Sequence, residues 1–188
     1  MYDSGNANRA DLFPTRDGNA RCLPGVTPEL LAETLADHLD RLYRAAWALS
    51  GSREDAEDLV QETYARVLAK PRTIGAADQA LFYLLGVLRN THISTLRKRA
   101  RRPQTAPLED TEHRLAAPAS DSPAAAFEAH ELFAAISELP DDYRDAVTAV
   151  DVAGLSYAEA AKMLSVPTGT IMSRLHRGRD RVARAIGG

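Results

Sequence analysis

The sequence predicts an all-α chain, two small helical modules joined by a flexible linker. Three observations lead there. Apolar residues recur three and four positions apart over several stretches bounded by capping residues, glycines and prolines. Aromatic residues make up 6% of the 188 residues, whereas sheets concentrate aromatic and β-branched side chains. Between residues 103 and 125 the periodicity stops in a stretch with four prolines, alanines and scattered acids, which reads as a linker. The resulting division is a flexible extension over 1–26, a first module over 27–102, the linker over 103–125 and a second module over 126–186.

The extension is rich in Asn, Gly, Asp and Arg, with Pro14 and Pro24. Thr27-Pro28 starts the first helix as cap and first-turn proline. Leu31, Leu35, Leu39, Leu42, Ala46 and Leu49 carry it to Gly51. Ser52 opens a second helix, whose stripe is Ala56, Leu59, Val60, Thr63, Val67 and Leu68, and Pro71 stops it. A loop over Arg72–Gln79 leads to a third, long helix reaching about Arg101, with Leu81, Leu84, Leu85, Leu88, Ile93 and Leu96 as its apolar side.

After the linker, Ser122-Pro123 restarts helix, and Phe127, Leu132, Phe133, Ile136 and Leu139 form a stripe ending at Pro140. Asp141 is expected to cap the next helix, which holds Tyr143, Val147, Val150 and Val152 and ends at Gly154. Ser156 and Glu159 have capping-box spacing, and Ala158, Ala161 and Leu164 give the following helix an apolar stripe with Ala160 beside it. Ser165-Val166 make a tight turn before Pro167, and Ile171, Leu175 and Val182 face the last helix inward. Ala160, Ala161 and Gly169 are small enough for two helices to cross closely. This is helix-turn-helix patterning, in which the second helix lies in a DNA major groove.

Charge follows the same division. The net charge is −3, yet Lys162 to Arg184 holds six Lys/Arg against a single acid, Asp180. Arg89 to Arg102 holds six Lys/Arg (Arg89, Arg97, Lys98, Arg99, Arg101 and Arg102) and no acid. Such concentration in an acidic chain is the footprint of phosphate-binding surfaces. Glu54, Asp55, Glu57, Asp58 and Glu62 crowd the second helix, and the later ones lie too far along for the helix dipole to explain, so they suggest a protein partner with basic residues.

The single cysteine, Cys22, excludes an intramolecular disulfide and suits a reducing cytoplasm. No apolar run approaches the length of a membrane span, and no secretory signal is expected at the N-terminus. Catalysis is not expected, because the five histidines are scattered without metal-ligand spacing or a nucleophile–base arrangement, and no cofactor is implied.

Three segments together resemble the extracytoplasmic-function (ECF) sigma factors of bacterial RNA polymerase. Residues Asp55-Ala-Glu-Asp-Leu-Val-Gln-Glu-Thr63 are similar to the family's region 2.2, and Tyr83-Leu-Leu-Gly-Val-Leu-Arg-Asn90, continuing to Arg102, to regions 2.3 and 2.4. Leu155–Arg179 is similar to region 4.2, with Pro167-Thr-Gly-Thr170 and Ser173-Arg-Leu-His-Arg-Gly-Arg179 as its marks. The resemblance covers nearly everything from residue 28 onward.

It implies a sigma region 2 module and a sigma region 4 module without chemistry of their own. Asp58, Gln61 and Glu62 would bind core polymerase at the β′ clamp helices, with a further contact of the factor to the β flap. Tyr83, with Phe82 adjoining it, would stack on a −10 base flipped into the 72–79 loop, and Asn90 would offer its amide to a base edge. Arg97, Lys98, Arg99 and Arg101 would grip −10 duplex phosphates. Thr170, Met172, Ser173, Arg174, His176, Arg177 and Arg179 would face the −35 element, Met172 standing where relatives often have Lys or Arg. Promoter DNA and an anti-sigma factor are the further partners implied, with poor duplex binding by the chain alone. The other reading of the residues is an autonomous dimeric helix-turn-helix regulator on palindromic sites.

Overall fold

Three helices form the first module: α1 (Leu39–Ser50), α2 (Arg53–Ala69) and α3 (Ala77–Arg101). Four more form the second: α4 (Pro123–Ser137), α5 (Asp141–Val147), α6 (Tyr157–Leu164) and α7 (Thr168–Ile186). The computed structural model describes residues 37–69, 77–101 and 123–187. Among these there is no strand. The expected extension, Cys22, Thr27-Pro28, residues 72–76 of the expected 72–79 loop and most of the linker lie outside the described residues, while Ala77–Gln79 already belong to α3.

α1 ends where Gly51 takes a left-handed φ of +81° and returns its N–H to the Trp47 carbonyl at 2.8 Å. Ser52 caps α2 by accepting the Asp55 N–H at 3.1 Å. Ala56, Leu59, Val60, Thr63 and Val67 are buried along α2, and Leu81, Leu84, Leu85 and Leu88 along α3. Leu96 is 41% exposed, so the apolar side of α3 fades where the basic residues begin.

The second module departs from the sequence expectation at four points. Phe127 is 61% exposed, and the buried stripe of α4 is Phe133 and Ile136, followed by Leu139. Asp141 does not cap α5; Pro140 takes that position, and Asp141 instead pairs with Arg144 at 2.5 Å within the first turn. Ala158 is exposed, so Ala160 and Ala161 form the inner face of α6. Finally, α5 continues as a π-helical segment, Thr148–Val152, before Gly154 turns with φ +73°. That widened segment directs the Ala153 N–H to the Thr148 carbonyl at 2.9 Å.

α1 is buried nearly all round: Leu42, Tyr43, Ala45, Ala46, Trp47, Ala48 and Leu49 are all within the core. A helix apolar on every side needs partners on every side. α2 and α3 cover one side, while α4, α5 and the π segment cover the other. The two modules are thereby docked on each other around α1.

Candidate nucleic-acid interface

The helix-turn-helix is held by its cap. The Glu159 N–H donates to the Ser156 hydroxyl at 3.3 Å, and the Glu159 carboxylate accepts the Ser156 N–H at 2.8 Å. A further bond from the Ser156 hydroxyl, at 2.6 Å, keeps this carboxyl below its usual range, with the backbone bond adding to it. Ser165 closes α6 in the left-handed region, φ +55°, and the Val166 N–H returns to the Ala161 carbonyl at 3.0 Å. α7 then buries Ile171, Leu175, Gly178 and Val182.

Gly169 is not where helices approach closely; a Cβ there would meet nothing within 4 Å. Gly178 is. A Cβ on it would lie 2.6 Å from Val147 Cγ2 and 3.5 Å from the Tyr143 carbonyl oxygen, so α5 seats α7 through this glycine.

The structure sorts the seven residues expected at −35 into two groups. Met172, Ser173, His176 and Arg177 are exposed on one face of α7, and Thr170 is half-buried at its edge. Arg174, 19% exposed, turns to Asp142 at 2.7 Å, and Arg179 forks onto Asp151 with bonds of 2.9 and 2.5 Å. That fork holds the Arg179 guanidinium more firmly protonated than usual. Arg177 donates to the Tyr143 hydroxyl at 3.5 Å, which lowers the phenol's pKa, and Arg181 lies over the Tyr143 ring at 5.3 Å.

The first module arranges its charges differently. Arg97, Lys98 and Arg101 are exposed at the end of α3, and among the described residues they have no ion-pair partner. Arg99 reaches back to Asp55 at 2.7 Å. Asn90 is exposed two turns earlier, and its carbonyl accepts the Ser94 hydroxyl at 2.7 Å. Tyr83 and Phe82, in contrast, are buried, 8% and 5% exposed. On α2, Asp58 and Glu62 are exposed beside half-buried Gln61, and Glu62 pairs with Arg66 at 2.7 Å.

Two pairings at the module seam carried no signal in the sequence. Arg89, counted among the basic residues of α3, turns away from them to Asp145 on α5, 2.6 Å apart. Arg41 on α1 donates through Nε to the Ala153 carbonyl at 3.0 Å, and its Nη2 donates to the same oxygen. A cation at the C-terminal end of a helical segment is favoured by the dipole. No three His, Cys, Asp or Glu side chains among the described residues gather to hold a metal.

The Sigma-70 region 2 family matches residues 35–102, and the Sigma-70, region 4 family matches residues 129–182. The ECF RNA polymerase sigma factor SigE of Mycolicibacterium smegmatis is 37% identical over 157 residues, 80% of this chain and 59% of that protein. EcfG of Rhodopseudomonas palustris is 36% identical over 140 residues, 73% of this chain and 75% of its own length. SigM of Mycobacterium tuberculosis is 37% identical, over 80% of this chain and 74% of its own length. Among solved structures, the sigma factor RpoE of Bartonella quintana, crystallised with the anti-sigma factor NepR, superposes with a TM-score of 0.59 at 27% identity, covering 85% of this chain and 95% of that one. With its three marked segments in order on two helical modules, the chain belongs to the ECF sigma factors of RNA polymerase.

Proposed function

We propose that this chain is an alternative sigma factor that binds core RNA polymerase through α2, reads −35 through α7 and opens −10 through α3. One observation carries the residue-level reading: two exposed basic helices and one exposed acidic face sit on separate elements. Asp58, Gln61 and Glu62 give α2 a surface for basic residues of the polymerase. Arg97, Lys98 and Arg101 supply salt-sensitive phosphate attraction. Met172, Ser173, His176 and Arg177 are placed to enter the major groove, where an arginine can form two bonds to a guanine edge and Met172 can pack on a thymine methyl.

The protein contributes specificity and no chemistry of its own, so its place of action is the cytoplasm with the polymerase. No helix among the described residues is long and apolar enough to cross a membrane. Its relatedness to a sigma factor crystallised with an anti-sigma protein supports regulation by such a partner here. An autonomous dimeric regulator would leave the acidic face of α2 and the first module without a role.

Run-off transcription with purified core polymerase tests this reading. Addition of the chain should create start sites absent from core alone. Asp58→Lys with Gln61→Lys should weaken core association before DNA recognition. Start sites unchanged by the chain would refute the reading.

A further inference from the structure

The arginines of α7 are not all held alike. Arg174, Arg179 and Arg184 each turn to an aspartate carboxylate. Arg177 instead donates through Nη1 to the hydroxyl of Tyr143 on α5, at 3.5 Å. That difference suits a side chain that must read a base. A carboxylate offsets the guanidinium's charge and can occupy its two-pronged edge. A phenol is neutral and takes a single N–H, so the Nε–Nη2 edge and the full positive charge stay available. Among the described residues Arg177 has no other polar partner.

Gly178 is what brings Tyr143 into place. A Cβ at that position would meet the Tyr143 carbonyl oxygen at 3.5 Å and the Tyr143 Cβ at 3.6 Å, so the missing side chain lets Tyr143 lie against α7. Arg177 and Arg181, one helical turn apart, then share a face of α7 beside the ring. Arg181 lies over the ring at 5.3 Å, while the hydroxyl end meets Arg177. Alongside opens a cleft of about 580 Å³, lined also by Asp180 and Arg184. Without the hydroxyl, the exposed Arg177 side chain would have that volume to sample.

We propose that Tyr143 is a positioning residue for −35 recognition: its hydroxyl orients the Arg177 guanidinium and leaves the Nε–Nη2 edge free for a guanine. The inference rests on the reading of α7 as the −35 helix. An exposed arginine loses rotamer freedom when it binds, and a bond already made in the free protein removes part of that cost. At 3.5 Å the bond is long, so it steers the side chain rather than clamping it. Tyr143 lies outside the Leu155–Arg179 segment, so the specificity of the reading helix depends on a residue of the helix behind it.

Tyr143→Phe deletes the hydroxyl and keeps the ring beside Arg181. Its effect is read with holoenzyme assembled from core polymerase and the full chain, in competition binding against promoters altered at each −35 base pair. Discrimination should fall about threefold to tenfold, at the same base pair where Arg177→Ala lowers it most. Affinity for DNA lacking the element and the thermal midpoint should not change; a merely structural role would move both. In the Arg177→Ala background Tyr143→Phe should cost nothing further, whereas in the Arg181→Ala background its loss should persist. Equal losses with and without Arg177 would overturn the proposal. So would a loss spread evenly over all DNA sequences, which would make the hydroxyl a phosphate contact. Discrimination lowered by Arg177→Ala but untouched by Tyr143→Phe also overturns it, and leaves the sigma-factor reading standing. Discrimination untouched by both substitutions refutes the −35 reading of α7 together with the inference.

Discussion

The basic ends of α3 and α7 have similar composition and opposite organisation. Arg97, Lys98 and Arg101 project from α3 without an acid beside them among the described residues. On α7, Arg174, Arg179 and Arg184 each pair with an aspartate, and Tyr143 engages both Arg177 and Arg181. Untethered cations attract any phosphate backbone at little orientational cost. Tethered ones are held in one orientation before DNA arrives, which on the proposed reading would suit base recognition. On the proposed sigma-factor reading, the same residue type would serve affinity in one module and discrimination in the other.

The largest effect should come from the untethered set. Arg97→Ala, Lys98→Ala and Arg101→Ala together remove three phosphate contacts, so the salt slope should become shallower by about 2–3 and the affinity loss between about 50 and 200 mM salt about fortyfold smaller. Titrating holoenzyme binding against salt on several promoters measures it; a change confined to one promoter sequence would break the comparison.

Next comes the seat of α7. Gly178→Ala forces a Cβ onto Val147, a short branched side chain with little room to yield, and should cost about 1–3 kcal/mol in thermal or urea unfolding. Gly169→Ala, in open space, should be neutral or slightly stabilising.

The tethers themselves are tested by Asp142→Ala. Asp142 is 67% exposed, so stability should change by about 0–1 kcal/mol. Freed Arg174 should nonetheless lose discrimination between −35 variants by several fold, measured by competition binding. Unchanged discrimination would mean that the pairing is merely a surface ion pair.

The effect confined to mildly acidic pH concerns His92 on α3, buried at the seam and facing Arg144 and Asp141 of α5 and Arg99 and Asp55 of its own module. Burial first, and then Arg144, push its pKa down to about 4 from 6.5. A folded-state pKa below the unfolded value means that the undocked or unfolded chain takes up the proton first. Stability is complete above pH 6.5 and is lost as pH falls toward 4. Trp47 fluorescence should report this loss between about pH 6.5 and 4, and His92→Gln should flatten it.

Local signals were legible because they act within one turn. Gly51, Ser52, the Ser156–Glu159 box and the inward Ile171, Leu175 and Val182 each depend on residues within a few positions. The three marked segments and their order sufficed for the family. Asp141 misled because an acid opening a helix reads alike as cap or as first-turn residue, and only the backbone at Pro140 separates the two.

The sequence by itself determined an all-helical chain with two modules, several of the caps that bound their helices, and the basic and acidic segments they display. Tertiary structure alone decided that Gly178 rather than Gly169 is the crossing point, that Arg174 and Arg179 turn to aspartates, and that Arg89 and Arg41 bind the modules together. Periodicity tells which face of a helix avoids water; it does not say what lies across from that face. Partners 56 or 112 residues apart meet only once the helices have packed.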